Sequence, residues 1–496
     1  MRPPAVDAGR TEAAQAELRS ALAGRPLVSV TRFTTSGRTG YTGPAPVPAL
    51  RPDLAIGCYR PWTPAEPAAA MAAEERIRTR SAALRQGWLT RVRAEAAERL
   101  AGLDRPPVLT AWYATDALRA LAGPHGTVAA IDGTVRDVIE AKPAFDQVLR
   151  EAYVPAAVRI PAVRVDGRLP SLPELRRLVG TRRVVVQSGV TSGGRGTVIV
   201  TGEADMEHAA RLDGPYRVTA FIDGWSSNVT VLSVPEGPDD VRVYVDRPSH
   251  KAIGVTELGI GPAKSAGNDW SRPWPADAAG MLVESAVRIA IWAWRRHRVA
   301  GLFGLDAILT PDGRVYLNEI NCRNQGTTEV SAVNQQARGW PPFLAAHLTL
   351  LLGGRVSWLE DPHEFNHATI TQATTPGGPF YAKLRLHRAD PGPVCLDPRL
   401  PGSGVYRLDA AGRLEWVRAG AHPADADADR GEVLLAGLPA PDVICHPGAE
   451  IATVEGVTSG SARPFDGPDQ ASMLTLRTAA AVAESFLPYL PQERTS

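Results

Sequence analysis

The chain has 496 residues, a hydrophobic content of 44% and a net charge of +1. At that length more than one domain is expected, and the apolar content supports packed cores. The near-zero net charge removes the electrostatic case for a nucleic-acid partner, and the Cys at 58, 322, 395 and 445 form no Cys-x-x-Cys pair, which argues against a zinc ribbon or a disulfide framework.

Taken in chain order, Arg2 is followed by Pro3-Pro4 and no apolar h-region, so no signal peptide is expected. No apolar run approaches the roughly 18 residues of a membrane span, so a cytoplasmic location is expected. Residues 1–24 read as a polar, Ala-rich lead, and Leu27 to Thr31 as a first strand. Residues 64–103 form a long Ala/Arg/Glu stretch with Ile77, Leu84, Trp88, Leu89 and Val92 near helical spacing. Packing on its own domain is the expectation for this helix; a coiled-coil arm joining a homodimer is the alternative. Residues 107–112 and 127–132 are short apolar strands, each leading into a helical pattern, so an α/β domain is expected over 1–139. A strand over 183–187, a glycine-rich loop over 188–196 and a strand over 197–200 follow. Val218 to Ile222 is an apolar strand ending in Asp223-Gly224. A buried helix is expected over 276–298. Beyond 353 the chain is richer in Pro, Gly and Asp, with short strands over 379–386, 404–408 and 413–418. His363 and His367 read as part of a polar loop, 421–430 as a solvated loop and 475–486 as a closing helix.

The densest chemistry lies between Phe303 and Gly326. Phe303–Leu309 and Val315–Ile320 read as a β-hairpin about the turn Thr310-Pro311-Asp312-Gly313, where Pro sets φ and Gly is free to turn left-handed. If Leu309 pairs with Arg314, then Asp306, Leu317, Glu319 and Asn321 share one face, because side chains alternate along a strand; a slip of one residue separates Asp306 from the others. Two carboxylates and a carboxamide are oxygen donors, suited to Mg²⁺ rather than Zn²⁺. Because Mg²⁺ usually adds substrate phosphates, a nucleotide is the natural partner. Arg323 follows on the same row, with a planar fork suited to a carboxylate or a phosphoryl group. Alternation turns Cys322 away, into the core. Upstream, the glycines of 188–196 can present backbone N–H groups to phosphates. No Gly-Lys-Ser/Thr follows, and a strand rather than a helix comes next, so this is neither a Walker loop nor a dinucleotide fingerprint.

Asp306, Glu319, Asn321 and Arg323, with a strand–glycine loop–strand about 110 residues upstream, resemble the ATP-grasp ligases. The resemblance is strongest over 140–352. It implies an α/β and α+β architecture: an N-terminal α/β domain over 1–139, an ATP-grasp domain over 140–352 and a strand-rich C-terminal region over 353–496. It implies ATP with Mg²⁺, or Mn²⁺ in its stead, held by Asp306, Glu319 and Asn321, with Arg323 at an acyl-phosphate site. Lys142 resembles a phosphate-contacting lysine of the family, one of four Lys in the chain (142, 251, 264 and 383). The cover loop maps to Ser192, Gly193, Gly194, Arg195 and Gly196, and the adenine-reading strand to Thr219, Ala220, Phe221 and Ile222. Gln187 stands where the family usually carries a phosphate-binding Lys, and brings no charge; Arg195 is the candidate to supply some of it. The implied activity is ligation of a carboxylate to an amine through an acyl phosphate, on small molecules such as amino acids or peptides. The whole layout is similar to the pheganomycin-type peptide ligases, in which an α/β domain precedes ATP-grasp. A bicarbonate-using enzyme of the biotin-carboxylase type and a nucleotide-binding module without catalysis are the alternatives; Gln187 alone favours the second.

Overall fold

The computed structural model describes residues 7–31, 37–57, 76–79, 81–191, 193–386 and 392–489. The N-terminal part is built on four short parallel strands in the order Leu54–Ile56, Leu27–Val30, Val108–Thr110 and Thr127–Ala129. Alternation along these strands feeds two cores. Leu27 and Val108 pack beneath the Ala8–Leu22 and Phe343–Leu351 helices, while Val28 and Leu109 meet Val92, Ala96 and Leu100 of the Ala82–Ala101 helix. The Ala8–Leu22 helix corrects the reading of 1–24 as a plain polar lead. Its Ala14, Leu18 and Leu22 are buried at intervals of four, a stripe too narrow to show against the Ala-rich background. The Asp7 carboxylate caps it by accepting from the Arg10 N–H at 3.3 Å.

Three other expectations change. Ile77 is not in the long helix; it lies in the Ile77–Arg78 strand, parallel to Ile444–Cys445, and the helix begins after Ser81, whose hydroxyl caps it. His363 and His367 are on the Pro362–Ala373 helix, because Pro at the first position is compatible with a helix start and the Asp361 side chain accepts from the two following N–H groups. The 421–430 stretch is not solvated throughout. Ala421, His422, Ala426 and Ala428 are buried, and the Asp425 carboxylate accepts from the Ala421 and His422 N–H groups. Asp425 and Asp427 close turns on their own backbone, and Asp429 accepts from Thr458 and from the Ala462 N–H, instead of simply facing water.

Two sheets frame the centre. The smaller is antiparallel, in the order Ala162–Val165, Tyr216–Ala220, Val184–Ser188 and Thr197–Val200. The larger has 11 strands. It runs from Val315–Asn321 through Gly301–Leu309, Trp225–Pro235, Ser249–Ile253, Ser265–Asp269, Gly378–Arg385, Glu450–Thr458, Glu432–Ala436 and Gly404–Leu408 to Leu414–Arg418, with Val241–Val245 paired to Trp225–Pro235. One face of its first strands packs on the Ala276–His297 helix through Val229, Val231, Phe303, Leu305 and Leu317. Farther along, Phe380, Ala382 and Leu384 enter another core with Val454 and Phe465. The opposite face carries Leu232, Val234 and Leu302 into the core with the Phe343–Leu351 helix, and Asp306 and Lys251 into a cavity.

Arg38 pins the N-terminal part to this sheet. Its side chain is fully buried and pairs with Glu329 at 3.0 Å and Glu455 at 2.8 Å, and it donates to the Ala421 carbonyl. Removing the cation would strand two acids in a dry interface. The Arg38→Met variant is therefore expected to lose about 3–5 kcal/mol of stability, read as a lower urea midpoint against wild type; an unchanged midpoint would show the network to be energetically silent.

Candidate active site

The metal-type hairpin folds with a register different from the one expected. Leu309 pairs with Val315, not Arg314, and Ala307 pairs with Leu317. That is a slip of one residue, which by itself would put Asp306 and Glu319 on opposite faces. A β-bulge at Asn318 undoes it: beyond the bulge Asp306 lies directly opposite Glu319, and Gly304 opposite Asn321. Leu317, expected on the carboxylate face, instead joins the core with Ile320 and Cys322. The bulge is braced from behind, where the buried Arg217 donates to the Asn318 carbonyl at 3.1 Å and holds Asp146 with two hydrogen bonds at 2.8 and 3.0 Å.

The two carboxylates are each matched by a lysine. Lys142 pairs with Glu319 at 3.1 Å, and Lys251 pairs with Asp306. Asp306 also accepts from the Asn228 amide at 2.6 Å. Burial pushes both carboxyls up. For Glu319 the charges of Lys142, Lys251 and Arg323 outweigh burial and hold it at about 2. For Asp306, burial and the Glu319 charge prevail over Lys251 and Asn228, and its pKa is raised. The pair thus carries two competing negative charges in a confined space, a setting in which a dication is favoured. Among the described residues no group of three or more His, Cys, Asp or Glu could hold a metal. Two carboxylates that leave the remaining positions to water and phosphate oxygens fit the usual protein share of a magnesium site.

Asp306, Glu319 and Asn318 lie on one wall of a cavity of about 470 Å³ between the smaller and larger sheets. Lys142, Gln187, Gly193, Gly194 and the run Thr219, Ala220, Phe221 and Ile222 line it too, as does Lys251. Ile160, Val185, Ile199 and Ile308 add an apolar part suited to a flat ring. The strand expected over 218–222 spans Tyr216–Ala220, so Phe221 and Ile222 continue beyond its end. The Gln187 side chain is buried and its oxygen accepts from Arg217 at 3.1 Å. Arg195 is exposed and does not line the cavity; Gly196 is buried, and its carbonyl accepts from the Ser188 N–H at 2.9 Å. The cations lining this cavity are Lys142, Arg183 and Lys251 rather than Arg195. Ser192 lies outside the described residues.

Asn321 and Arg323 stand beside the cavity rather than in its wall. Arg323 Nη2 donates to the Asn321 oxygen at 2.7 Å, and Nε pairs with Glu140 at 3.1 Å. Its guanidinium carbon lies 5.4 Å from the Trp112 ring centre. Glu140 is clamped from the other side by Arg136 at 2.9 Å, and burial raises its pKa despite these two cations. Lys251, Asn228, Arg217 and Glu140 were not picked out as site residues from the sequence. For Lys251 a signal was available: it is one of four lysines in an Arg-rich chain.

No family model matches the sequence, and no curated protein matches it. Solved structures do. A biotin carboxylase from Campylobacter jejuni in complex with β,γ-ATP is 14% identical, with 90% of this chain and 84% of that one covered and a TM-score of 0.50. The chain has the ATP-grasp fold. An L-amino acid ligase from Bacillus licheniformis aligns at 12% identity over 93% of this chain and 98% of that one, with a TM-score of 0.47. Within this fold the two sheets grip the cavity, and the glycine loop forms its rim. No helix of the described residues is long and apolar enough to cross a membrane.

The rim is tied down at two places. Lys142 donates to the Thr191 carbonyl at 3.0 Å, so the lysine that meets Glu319 also holds the start of the glycine turn. Gly194 has φ +72°, and a Cβ there would lie 2.1 Å from the Ala263 carbonyl oxygen. Gly194→Ala is thus expected both to strain the turn and to push it off Ala263. Limited proteolysis should cut the variant within 189–196 faster than wild type, while melting temperature changes little; equal cleavage would rule out this docking contact.

Proposed function

We propose that the protein is an ATP-dependent carboxylate–amine ligase, acting on amino acids or peptides through an acyl phosphate and releasing ADP and phosphate. The observation that carries this reading is the Asp306–Glu319 pair: two acids in direct register, each met by a lysine, in the wall of a cavity rimmed by a glycine loop. The layout's similarity to pheganomycin-type ligases gives the narrower form, a peptide ligase. The same reading divides the chain into functional parts over 1–139, 140–352 and 353–496.

Asp306 and Glu319 would hold magnesium, with the Asn321 oxygen as a third donor; bound there, the ion would offset charge on the phosphates. Lys142 and Lys251 then turn from the carboxylates to phosphate oxygens, and Gln187 and the loop N–H groups hydrogen-bond the same chain. The backbone of Thr219–Ile222 borders the base. A carboxylate oxygen of the acid attacks the γ-phosphorus, the bond to the β–γ bridging oxygen breaks, and ADP leaves. The amine nitrogen next attacks the acyl carbon. Phosphate departs with the carbon–oxygen electron pair, and the nitrogen loses a proton to solvent. Arg323, oriented by Glu140 and Asn321, steadies the acyl oxygens through the donors it has left. The glycine loop keeps water from the acyl phosphate.

The test is a screen of amino acids taken in pairs with MgATP. ADP and phosphate are expected, with ¹⁸O from the substrate carboxylate transferred into phosphate; AMP and pyrophosphate, or turnover that needs bicarbonate and no organic acid, would replace this mechanism. Glu319→Ala should abolish ADP formation while remaining folded by circular dichroism. Arg323→Lys keeps the charge but cannot reach Glu140 and Asn321 together. It is expected to lower kcat by roughly 100-fold with little change in the KM for ATP.

A further inference from the structure

A second cavity, of about 270 Å³, opens beyond the carboxylate pair. The path between the two is short. The Asn228 amide donates both to Asp306 at 2.6 Å and to Gln325 at 2.8 Å, and Gln325 lines the second cavity. Gly304 makes room for this link, since a Cβ there would fall 1.4 Å from the Gln325 amide nitrogen. One wall is the same sheet face that carries Asp306. Register runs from Lys251 to Asn268, from Asn268 to Tyr381 and from Tyr381 to Glu455. Alternation along Gly378–Arg385 sends Phe380, Ala382 and Leu384 into the core and aims Tyr381, Lys383 and Arg385 at the cavity. Across from this wall lie Trp112, Val330 and Leu344, with the polar Asn324, Thr328 and Glu329 among them.

Two of the three cations at this cavity sit in ion pairs, and the carboxylates Glu329, Glu450 and Glu455 line it. Arg385 pairs with Glu450 at 3.1 Å, and Arg38 holds both Glu329 and Glu455. Lys383 makes no hydrogen bond or ion pair among the described residues, although it is half-buried on the cavity wall. Burial and the nearby cations Arg385 and Lys251 lower its pKa, with Glu450 acting the other way. A partly buried ammonium with no hydrogen-bonded anion is costly, and a carboxylate entering the cavity would supply one. The cavity is smaller than the roughly 300 Å³ at which pockets for drug-sized ligands begin, which suits a single amino acid.

We propose that this second cavity seats the amine substrate, that this substrate is a free amino acid, and that Lys383 anchors its carboxylate. This rests on the ligase reading. Lys383 does not line the nucleotide cavity, so a carboxylate held by it is not the one presented to ATP. The amino acid's own amine remains free to attack, and its side chain lies against Trp112, Val330 and Leu344. Lys383 thereby selects acceptors that end in a carboxylate over those that end in an amide.

With only four lysines in the chain, mass spectrometry can follow each under brief acetylation. The probes are the twenty L-amino acids and their carboxamides, with an ATP analogue and magnesium in parallel samples. Lys383 should be acetylated in the free protein, protected at least tenfold by one or more amino acids, and left reactive by the matching carboxamides. Lys383→Gln should weaken binding of the protecting amino acid at least tenfold by calorimetry, with Lys383→Arg retaining most of it. Protection of Lys142 and Lys251 by the ATP analogue reports the nucleotide site separately, so failure of the ligase reading is distinguishable from failure of this one. An unreactive Lys383 in the free protein, no protection by any amino acid, or equal protection by the carboxamides would overturn the assignment.

Discussion

Two carboxylates pressed together across neighbouring strands are the constraint around which the centre of this protein is arranged. Asp306 and Glu319 face one another because a single extra residue, Asn318, interrupts the ladder. Their mutual repulsion in a buried setting would be destabilising without compensation. Compensation arrives from two directions: Lys142 from the segment that precedes the smaller sheet, and Lys251 from the next-but-one strand of the larger one. Each lysine therefore joins separate parts of the chain as well as balancing a charge. Lys142 extends the connection to the glycine turn through Thr191. On the proposed reading, a dication with phosphates would release both lysines at once and so couple loop position to metal occupancy.

The same logic explains the second layer. Arg323 is oriented by Glu140 and Asn321, Glu140 is shared with Arg136, and Arg217 joins Gln187, Asp146 and the bulge carbonyl. These polar and charged groups are largely buried and joined to one another, so few of them can rotate independently. The row is thus held in shape before any ligand arrives, which reduces the ordering cost of binding.

Much of this was legible in the sequence, and the gaps have physical causes. The hairpin, the glycine loop with its flanking strands, the buried helix and the ATP-grasp layout could all be read, because alternation and turn residues are local signals. The hairpin register could not. A bulge leaves no compositional mark, and here it cancelled a one-residue slip, so the face of Asp306 came out as expected for a reason that was not. Leu317 shows the difference, since it falls on the other side. The Ala8–Leu22 helix was missed because Ala and polar residues dominate its exposed positions. The buried 421–430 turns were missed because Asp residues that serve their own backbone look the same as solvated ones. Glu140 and Arg217 depend on contacts between distant segments, which periodicity does not report. Lysine scarcity was a usable global signal: three of the four, Lys142, Lys251 and Lys383, line the two cavities.

The continuity of the large sheet has a consequence for how the chain acquires its structure. The strand Ser265–Asp269 is covered on its outer side by Gly378–Arg385, which is covered in turn by Glu450–Thr458. While the polypeptide emerges from the ribosome, residues through 352 can be complete and still present an open ladder of N–H and C=O groups along Ser265–Asp269. That edge closes only when strands made much later arrive, and Ile77–Arg78 waits as long for Ile444–Cys445. Pairings so distant in sequence are slow to form and leave sticky edges exposed in the interval. Fragments ending near 352 are thus poor candidates for soluble expression, and the full-length chain carries its greatest aggregation hazard during synthesis rather than after it.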